Sequence, residues 1–406
     1  MISAVMTVLM TAVILLAPDS MSWLVFRDPS HSRIMICVGL ALFLVTGLNF
    51  LVSMMESLRQ VRLVTMMRFV LGLVFAIAGC GLMLFWKDGA SAATLGYAIA
   101  CLFAGAPAVW FLWKNRSRIQ DTGPKLKQVE MWKRIAPYAM WMWWANMFSN
   151  LFEVVDRYML IHWSPVEATV AQGFVGQYHS GRIIPLLLVS VSAMLGGVLM
   201  PYMSESWESG NRKAAAGLMK WTVKLSSVAF TLGGLFVLLG APILFDWILE
   251  GRYNEGLSVL PLTMVYCIWF GMFTLGQEYL WVAEKGKYAL LTVGIGLLTN
   301  IGLNIILIPT WGLWGAVIAT AAGNLINILI VYGFNHYYGC KLDLGLWVVA
   351  ALPLLLMLPM PWAVAALAVC AVAGWSTSFI FSAEEKAELV QGAFSVREKI
   401  KAKLGR

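Results

Sequence analysis

Long apolar stretches separated by short polar connections make up most of this chain. An apolar segment needs about 20 residues to cross the roughly 30 Å hydrocarbon core of a bilayer, where a helix satisfies its own backbone hydrogen bonds. Twelve stretches approach or exceed this length: 1–17, 34–54, 67–86, 92–113, 135–161, 176–201, 217–240, 258–283, 288–308, 312–334, 344–360 and 362–381. The pattern predicts an all-α polytopic membrane protein with about 12 transmembrane helices.

Composition and motif content narrow the class further. Of the 406 residues, 60% are hydrophobic and only 12% are charged. Soluble domains carry about 25% charged residues, so the outer surface of this chain must meet lipid. The six cysteines form no C-x-x-C pair and the four histidines have no H-x-x-x-H spacing, so we expect no disulfide, metal or cofactor. The sequence contains no G-x-S-x-G or Walker motif, which argues against an enzyme and against an ATP-driven pump.

The basic residues predict an orientation in the membrane. Cytoplasmic loops of membrane proteins are enriched in Lys and Arg. Of the 29 such residues, 22 lie in the even-numbered connections and the tail, whereas four lie in the odd-numbered connections. This distribution predicts that both termini are cytoplasmic. It also accounts for the net charge of +8, so nucleic acid is not expected as a partner.

Two short sequence patterns each occur twice, and the two repeats have nearly the same offset along the chain. An Ala-Pro pair followed five residues later by Trp occurs at 17–23 and again at 241–247, an offset of 224 residues. The pattern G-x-x-[AG]-A occurs at 89–93 and again at 312–316, an offset of 223 residues. Because transporters are commonly built from repeats, these offsets predict two pseudo-repeated lobes.

The offset also divides the chain into parts. Residues 1–134 are predicted to form an N-terminal lobe of about four helices, 135–335 a C-terminal lobe of six, 336–381 an extra helix pair and 382–406 a basic cytoplasmic tail. The repeat aligns Met1 near Leu225, so the N-terminal lobe is expected to be incomplete by about 80–90 residues, the length of two helices. The tail is expected to lie as an amphipathic helix on the anionic inner leaflet, or to remain solvated.

The fifth stretch carries the highest density of polar residues. Charged side chains within a span cost about 2.5–3.5 kcal/mol each on insertion scales, so they usually face a cavity or a partner. Asn146, Asn150, Glu153 and Arg157 are spaced by 4, 3 and 4 residues and share one helical face, with Asp156 beside it. This face is predicted to line a transport cavity. The alternatives are a structural Glu153–Arg157 ion pair, or a position of Asp156 and Arg157 in the headgroup zone.

A second polar group follows in the next stretch. Tyr178, His179 and Arg182 cluster near its outer end. A guanidinium matches phosphate oxygens with paired hydrogen bonds, so Arg182 is a candidate phosphate ligand; the alternative is an interfacial arginine that snorkels outward. Asn300 with Asn304, and the later pair of amides at 324 and 327, are predicted to bridge helices structurally.

Several motifs resemble a known superfamily. The stretch DRYML at 156–160, with VGQY at 175–178 and PYMS at 201–204, resembles the start of the second half of polysaccharide exporters. The pattern IPxxGxxGAxxAT at 308–320 and the short loop GRY at 251–253 are similar to later segments of the same proteins. These belong to the multidrug/oligosaccharidyl-lipid/polysaccharide (MOP) flippase superfamily, which also contains the multidrug and toxin extrusion (MATE) transporters.

The resemblance implies a MATE-like and lipid-flippase-like fold with two lobes around a central cavity. It implies flipping of a polyprenyl-pyrophosphate-linked oligosaccharide across the bacterial cytoplasmic (inner) membrane, for O-antigen, lipopolysaccharide or other surface polysaccharide biosynthesis. The expected partners are this lipid-linked oligosaccharide, membrane lipids and, as further candidates, polysaccharide polymerase or assembly proteins. Cationic cavity residues bind the pyrophosphate in such proteins, and Arg157 and Arg182 are the candidates here.

These observations combine into one functional hypothesis, alternating access between two lobes. Arg157 and Arg182 would hold phosphate, Asn146 and Asn150 would meet sugars, and Glu153 or Asp156 would couple protons or Na⁺. Tyr178 and His179 complete the predicted substrate-binding set. A drug/cation antiporter of the same superfamily and a non-transporting scaffold for polysaccharide assembly are the alternatives.

Overall fold

A computed structural model describes residues 2–58, 60–86, 89–116, 128–382 and 385–387. Helices account for nearly all of them, and the chain divides into two compact units, Met1–Lys127 and Gln128–Arg406. Most of the predicted tail, residues 388–406 with 383–384, lies outside the described residues, and so do 117–127 of the long connection between the units. The amphipathic tail helix therefore stays a prediction.

The first unit contains five α-helices among its described residues. They are α1 (Ile2–Leu16), α2 (Pro18–Phe26), α3 (Ser32–Ser57), α4 (Val61–Phe85) and α5 (Gly89–Lys114). A 96° bend separates α1 from α2, because Pro18 begins the second helix and cannot continue the hydrogen-bond ladder of the first. The core of the unit forms where α3, α4 and α5 meet, around Met55, Met67 and Ala104.

The second unit contains nine α-helices among its described residues. They are α6 (Gln128–Trp163), α7 (Ala168–Ser180), α8 (Ile183–Glu208), α9 (Arg212–Ile243), α10 (Asn254–Val282), α11 (Gly286–Trp311), α12 (Leu313–Tyr337), α13 (Leu344–Ala351) and α14 (Met360–Ser376). A π-helical turn, Leu244–Ile248, follows α9. Most of α10 is buried, since it packs against α8, α9 and α12, whereas α6 packs mainly against α11 and α7.

Within the described residues, eight helices are long and apolar enough to cross a membrane, or nine when the bent α1–α2 pair counts as one span. They are α3, α4, α5, α8, α9, α10, α11 and α12. The other predicted stretches also fall on helical segments, but α6 is too polar for this criterion and α13 and α14 are too short. The predicted stretch 176–201 is broken between α7 and α8 at Gly181 and Arg182. The all-α polytopic membrane fold is confirmed.

The two units repeat one helix arrangement. In the first, α3 packs against α1 and α5, and α4 packs against α5; in the second, α10 packs against α9 and α12, and α11 packs against α12. The Ala-Pro pattern lies at the α1–α2 bend and again at the end of α9, just before the π-helical turn. The helices α6–α8 have no counterpart among those described in the first unit.

Two glycines at corresponding positions of the repeat have different surroundings. Gly271 of α10 lies directly against Ser192 of α8, with no room for a side chain. Gly47 of α3, 224 residues earlier, has nothing within 4 Å of the position that a Cβ would take. It borders an apolar groove of about 1240 Å³ between α1, α3 and α5.

Most basic residues of the second unit lie at one set of helix ends. Lys133 lies near the start of α6, Arg212 and Lys213 begin α9, Lys287 lies at the start of α11, and Lys341 follows α12. At this end Lys224 is buried and pairs with Asp343, which precedes α13, at 3.1 Å, and with Glu385, which follows α14, at 3.0 Å.

Candidate functional site

A buried carboxylate lies where four helices of the second unit converge. Asp156 of α6 is fully buried and accepts hydrogen bonds from four side chains. Tyr178 of α7 and Thr320 of α12 donate their hydroxyls to Oδ2. Asn300 and Asn304 of α11 each donate an amide N–H to Oδ1 at 2.8 Å. Buried polar groups ordinarily form such hydrogen bonds. The network holds α6 to α7, α11 and α12.

Small residues bring these helices close enough for the network to form. A Cβ at Gly323 of α12 would lie 2.9 Å from the Gly296 carbonyl of α11 and 2.9 Å from the Phe152 ring of α6. Glycine at this position therefore permits the backbones of α11 and α12 to approach directly, as small residues commonly do in membrane bundles. Asn300 and Asn304 stand one turn apart on α11, so both amides reach the same carboxylate.

All four donors around Asp156 are uncharged groups. A carboxylate accepts hydrogen bonds at about four lone-pair sites, and here four neutral donors point at it. No Lys or Arg among the described residues forms a direct ion pair with it. Oδ1 of Asn304 is also buried without a partner. Carboxylate, amide and hydroxyl oxygens are the ligands that hard cations prefer.

A buried guanidinium lies on the other side of Tyr178. Arg182 is 6% exposed, and its Cζ lies 5.8 Å from the ring centroid of Tyr178 and 6.0 Å from that of Tyr266. The Tyr266 hydroxyl donates to that of Tyr178 over 3.3 Å. Nη1 of Arg182 donates to the Glu153 carbonyl over 3.4 Å, while its Nε has no partner. The side chain is held among aromatic rings, so it does not snorkel to a membrane surface.

The other predicted residues lie apart from this network. Asn146 and Asn150 are exposed on α6, where Asn150 donates to Oδ1 of Asn146 over 2.6 Å. Glu153 and Arg157 are half-buried, but no ion pair joins them among the described contacts, so the alternative of a structural i,i+4 ion pair is wrong. Nε of Arg157 is buried and unpartnered. His179 is exposed on α7.

The structure thus unites Asp156, Tyr178 and Arg182 and adds residues that the sequence analysis left out of the site. Tyr266 was not singled out, Thr320 appeared only as the last residue of the family-like pattern at 308–320, and the amides of Asn300 and Asn304 were predicted to bridge helices structurally. Their spacing of one turn was the available signal. The pairing of these amides with Asp156 could not be predicted, because Asp156 lies 144 residues from Asn300 along the chain.

Comparisons with known proteins agree with this architecture. The lipid II flippase MurJ of Bacillus subtilis (strain 168) is 25% identical to the chain over 284 residues, which are 65% of the chain and 52% of the relative. The chain therefore spans about half the length of this curated relative. A solved structure of lipid II flippase MurJ in an inward closed conformation matches with a TM-score of 0.64 at 14% identity, covering 93% of this chain and 83% of that one.

A second solved structure extends the likeness across the superfamily. An outward-facing multidrug resistance MATE family transporter of the MOP superfamily matches with a TM-score of 0.61 at 12% identity, covering 83% of this chain and 76% of that one. At such identities the two structures establish the fold, and it is the fold that the predicted resemblance implies. The family model for polysaccharide biosynthesis proteins matches residues 1–207. The chain therefore belongs to the polysaccharide biosynthesis protein family.

Proposed function

We propose that this protein flips a polyprenyl-pyrophosphate-linked oligosaccharide across the bacterial cytoplasmic membrane for surface polysaccharide or O-antigen biosynthesis. Membership of the polysaccharide biosynthesis protein family supports a role in glycan assembly. The similarity to a protein named as a lipid II flippase supports movement of a lipid-linked precursor. In the proposed cycle the lobes alternate access, the headgroup crosses within the protein and the prenyl chain stays in lipid.

The observation that carries the proposal is the state of the Arg182 guanidinium. Arg182 is buried, and no carboxylate among the described residues forms a direct ion pair with it, since Tyr178 lies between it and Asp156. Its Nε lacks a hydrogen-bond partner, as does Nε of Arg157 one helix away. Both groups retain donors for an anion, and phosphate oxygens suit the guanidinium fork. Arg157 and Arg182 are accordingly the phosphate ligands of the proposed mechanism.

The exposed amides and imidazole supply the sugar-binding groups. Asn146 and Asn150 of α6 present both donors and acceptors, which neutral sugar hydroxyls require. His179 is exposed at the end of α7, next in the chain to Tyr178. These three side chains form the proposed sugar contacts, and the two guanidinium groups fix the pyrophosphate.

Asp156 is the proposed ion-coupling residue. Its carboxylate carries one negative charge, and the Thr320 hydroxyl and the unpartnered Oδ1 of Asn304 are further oxygen ligands, a set that favours a monovalent cation such as Na⁺. The described residues contain no cluster of three His, Cys, Asp or Glu that would suit a multivalent metal. Glu153, whose carbonyl accepts a hydrogen bond from Arg182, is the second candidate for coupling.

The proposed orientation follows the charge distribution. The lysines and arginines at the starts of α6, α9 and α11 would face the cytoplasm, which makes both termini cytoplasmic. Polysaccharide polymerase or assembly proteins are proposed as partners in the same membrane. A drug/cation antiporter would use an acidic, apolar cavity, and the two unpaired guanidinium groups favour an anionic substrate instead.

A reconstituted flipping assay tests the proposal. The full chain is placed in liposomes with a fluorescent polyprenyl-pyrophosphate oligosaccharide, and accessibility to an impermeant quencher is followed. Wild-type protein should move the probe, whereas Arg157→Ala and Arg182→Ala should slow it strongly and Arg182→Lys should restore it only in part. Arg252→Ala is the matched control, because Arg252 is exposed and paired with Glu250 at 2.6 Å.

Three outcomes would count against it. Absence of flipping by wild-type protein would favour a scaffold. Drug efflux from a pump-deficient strain, without flipping, would favour the antiporter. Full flipping by both alanine variants at normal protein levels would remove the two arginines from the mechanism.

A further inference from the structure

A second concave site lies at one end of the second unit. A cavity of about 460 Å³ opens between the α6–α7 connection, the start of α10 and the turn that joins α11 to α12. It begins one helical turn beyond Asn304, at Ile308, and none of its lining residues belongs to the Asp156 network. Its volume falls within the roughly 300–1,000 Å³ of ordinary small-molecule sites.

The backbone of the α11–α12 turn shapes this cavity. Gly312 has φ of +52° and ψ of −122°, a conformation open to glycine and strained for other residues. The turn places Trp311 and Trp314 on either side of it, and their side chains are 58% and 38% exposed. Large aromatic side chains held at a rim in this way present apolar faces to a ligand.

Polar groups complete the lining. Glu255, at the start of α10, contributes an exposed carboxylate. Ser164 is only 4% exposed, and its hydroxyl has no hydrogen-bond partner among the described residues. A buried hydroxyl is ordinarily paired, so this one is a group left available to a ligand. Ser258 is already engaged, since its hydroxyl donates to the Glu255 carbonyl over 2.7 Å.

The charges around the cavity exclude a phosphate ligand. No lysine or arginine is among the residues that line it. The nearest basic residue in sequence, Arg252, is paired with Glu250. An acidic group with two indole faces and a free hydroxyl fits a neutral sugar, whose hydroxyls donate to the carboxylate and whose C–H face packs on the aromatic ring. Lipid anchoring by tryptophan would require neither the carboxylate nor the concave wall.

We propose that this cavity is a carbohydrate-binding subsite that holds a neutral sugar residue of the oligosaccharide at the extracytoplasmic exit. The location rests on the proposed function, because it takes the basic helix ends as cytoplasmic and the opposite ends as extracytoplasmic. Glu255 accepts hydrogen bonds from sugar hydroxyls, Ser164 supplies the buried hydroxyl, and Trp311 and Trp314 contact the ring face. A subsite here retains the glycan on the outer side after the lobes reopen.

Saturation-transfer difference NMR on the purified full chain in detergent tests the subsite directly. The probes are methyl glycosides of glucose, galactose, rhamnose and N-acetylglucosamine, each added alone. At least one should receive saturation from the wild-type protein. Glu255→Gln and Trp311→Leu should weaken that binding about tenfold or more, as expected for loss of a charged hydrogen bond or an aromatic contact.

Two controls keep the test decisive. Trp247→Leu removes a tryptophan that is 83% exposed at the same end of the unit and does not line the cavity, so it should bind as wild type. Thermal unfolding should be unchanged in all three variants, because the substituted side chains are exposed. No saturation of any glycoside, or equal loss in the Trp247 variant, would overturn the proposal.

The flipping assay separates this inference from the proposed function. Flipping by wild-type protein without glycoside binding would reject the subsite and leave the flippase in place. Glycoside binding that depends on Glu255 and Trp311, in a protein that flips nothing, would uphold the subsite and reject the transport activity.

Discussion

The hydroxyl of Tyr178 donates a hydrogen bond to Oδ2 of Asp156 over 2.7 Å. The ring of the same tyrosine lies 5.8 Å from Cζ of Arg182. One fully buried side chain therefore contacts both the Asp156 carboxylate and the Arg182 guanidinium, which form no direct ion pair with each other. A cation bound at Asp156 would compete for the lone pairs that accept the Tyr178 hydrogen bond. Loss of that hydrogen bond would let the Tyr178 ring move, and this ring packs against Arg182. This contact gives the proposed coupling of ion and phosphate binding a physical route.

Replacing Tyr178 by Phe should uncouple the two sites while leaving the protein folded. The substitution keeps the ring beside Arg182 and removes one hydrogen bond to a charged group, worth about 1.5–3 kcal/mol. We expect flipping in liposomes to slow about tenfold and to lose part of its dependence on the ion gradient. Tyr158→Phe is the control, because Tyr158 is exposed on α6, stacks on His162 and forms no hydrogen bond with the network among the described residues. Equal rates for the Tyr178 variant and wild type would contradict the coupling.

Asp156→Asn should abolish the response to the coupling ion. A ligand that binds the folded state raises the melting temperature by mass action, so wild-type protein should unfold at a higher temperature in NaCl than in KCl of the same concentration. The Asn variant removes the negative charge at nearly constant shape, and its two melting temperatures should coincide. Glu153→Gln tests the second candidate, and loss of the Na⁺ effect in that variant alone would move the ion site to Glu153.

Hydropathy predicted the helices well because a bilayer imposes one requirement on every span, that its backbone be satisfied internally. Pro18 also marks its bend in the sequence, since proline lacks the N–H that a continuous helix needs. No proline lies at the break between α7 and α8, so the end of α7 and most of α8 were predicted as one apolar stretch. The apolar stretches at 344–360 and 362–381 were identified, but their helices end early.

The site was harder to predict than the helices, for a physical reason. The i,i+4 rule identifies residues that share a helix face, and it correctly grouped Asn146 with Asn150. It cannot say which face meets which neighbour. Asp156, placed beside the polar stripe, instead turns toward α11 and α12, and only tertiary packing brings it to Asn300 and Thr320. Glu153 and Arg157, which have the spacing of an ion pair, do not form one.

Gly323→Ala should destabilise the second unit through the packing of α11 on α12. The added methyl would lie 2.9 Å from the Gly296 carbonyl and from the Phe152 ring, closer than real contacts allow. Overpacking of this kind costs about 1–3 kcal/mol. Gly333→Ala, on the same helix with nothing within 4 Å, is the matched control and should be neutral or stabilising by up to about 1 kcal/mol. Thermal unfolding in detergent compares them, and equal effects would contradict close helix contact at Gly323.

The ionised carboxylate of Asp343 should make the thermal stability of the protein depend on pH in the acid range. Burial works against its charge, but Lys224, the Leu346 amide and Lys220 outweigh that effect, so the pKa of Asp343 lies below its usual value. A carboxylate whose folded pKa is lowered stabilises the protein above its unfolded pKa of about 3.9, and this contribution is lost as pH falls through the folded value. Asp343→Asn should therefore lower the melting temperature at neutral pH, and the difference from wild type should shrink as the pH falls below about 4. Asp246→Asn alters an exposed carboxylate and should show no such convergence. A difference that stays constant over the whole pH range would show that the ionised carboxylate of Asp343 does not hold the segment before α13 to α9.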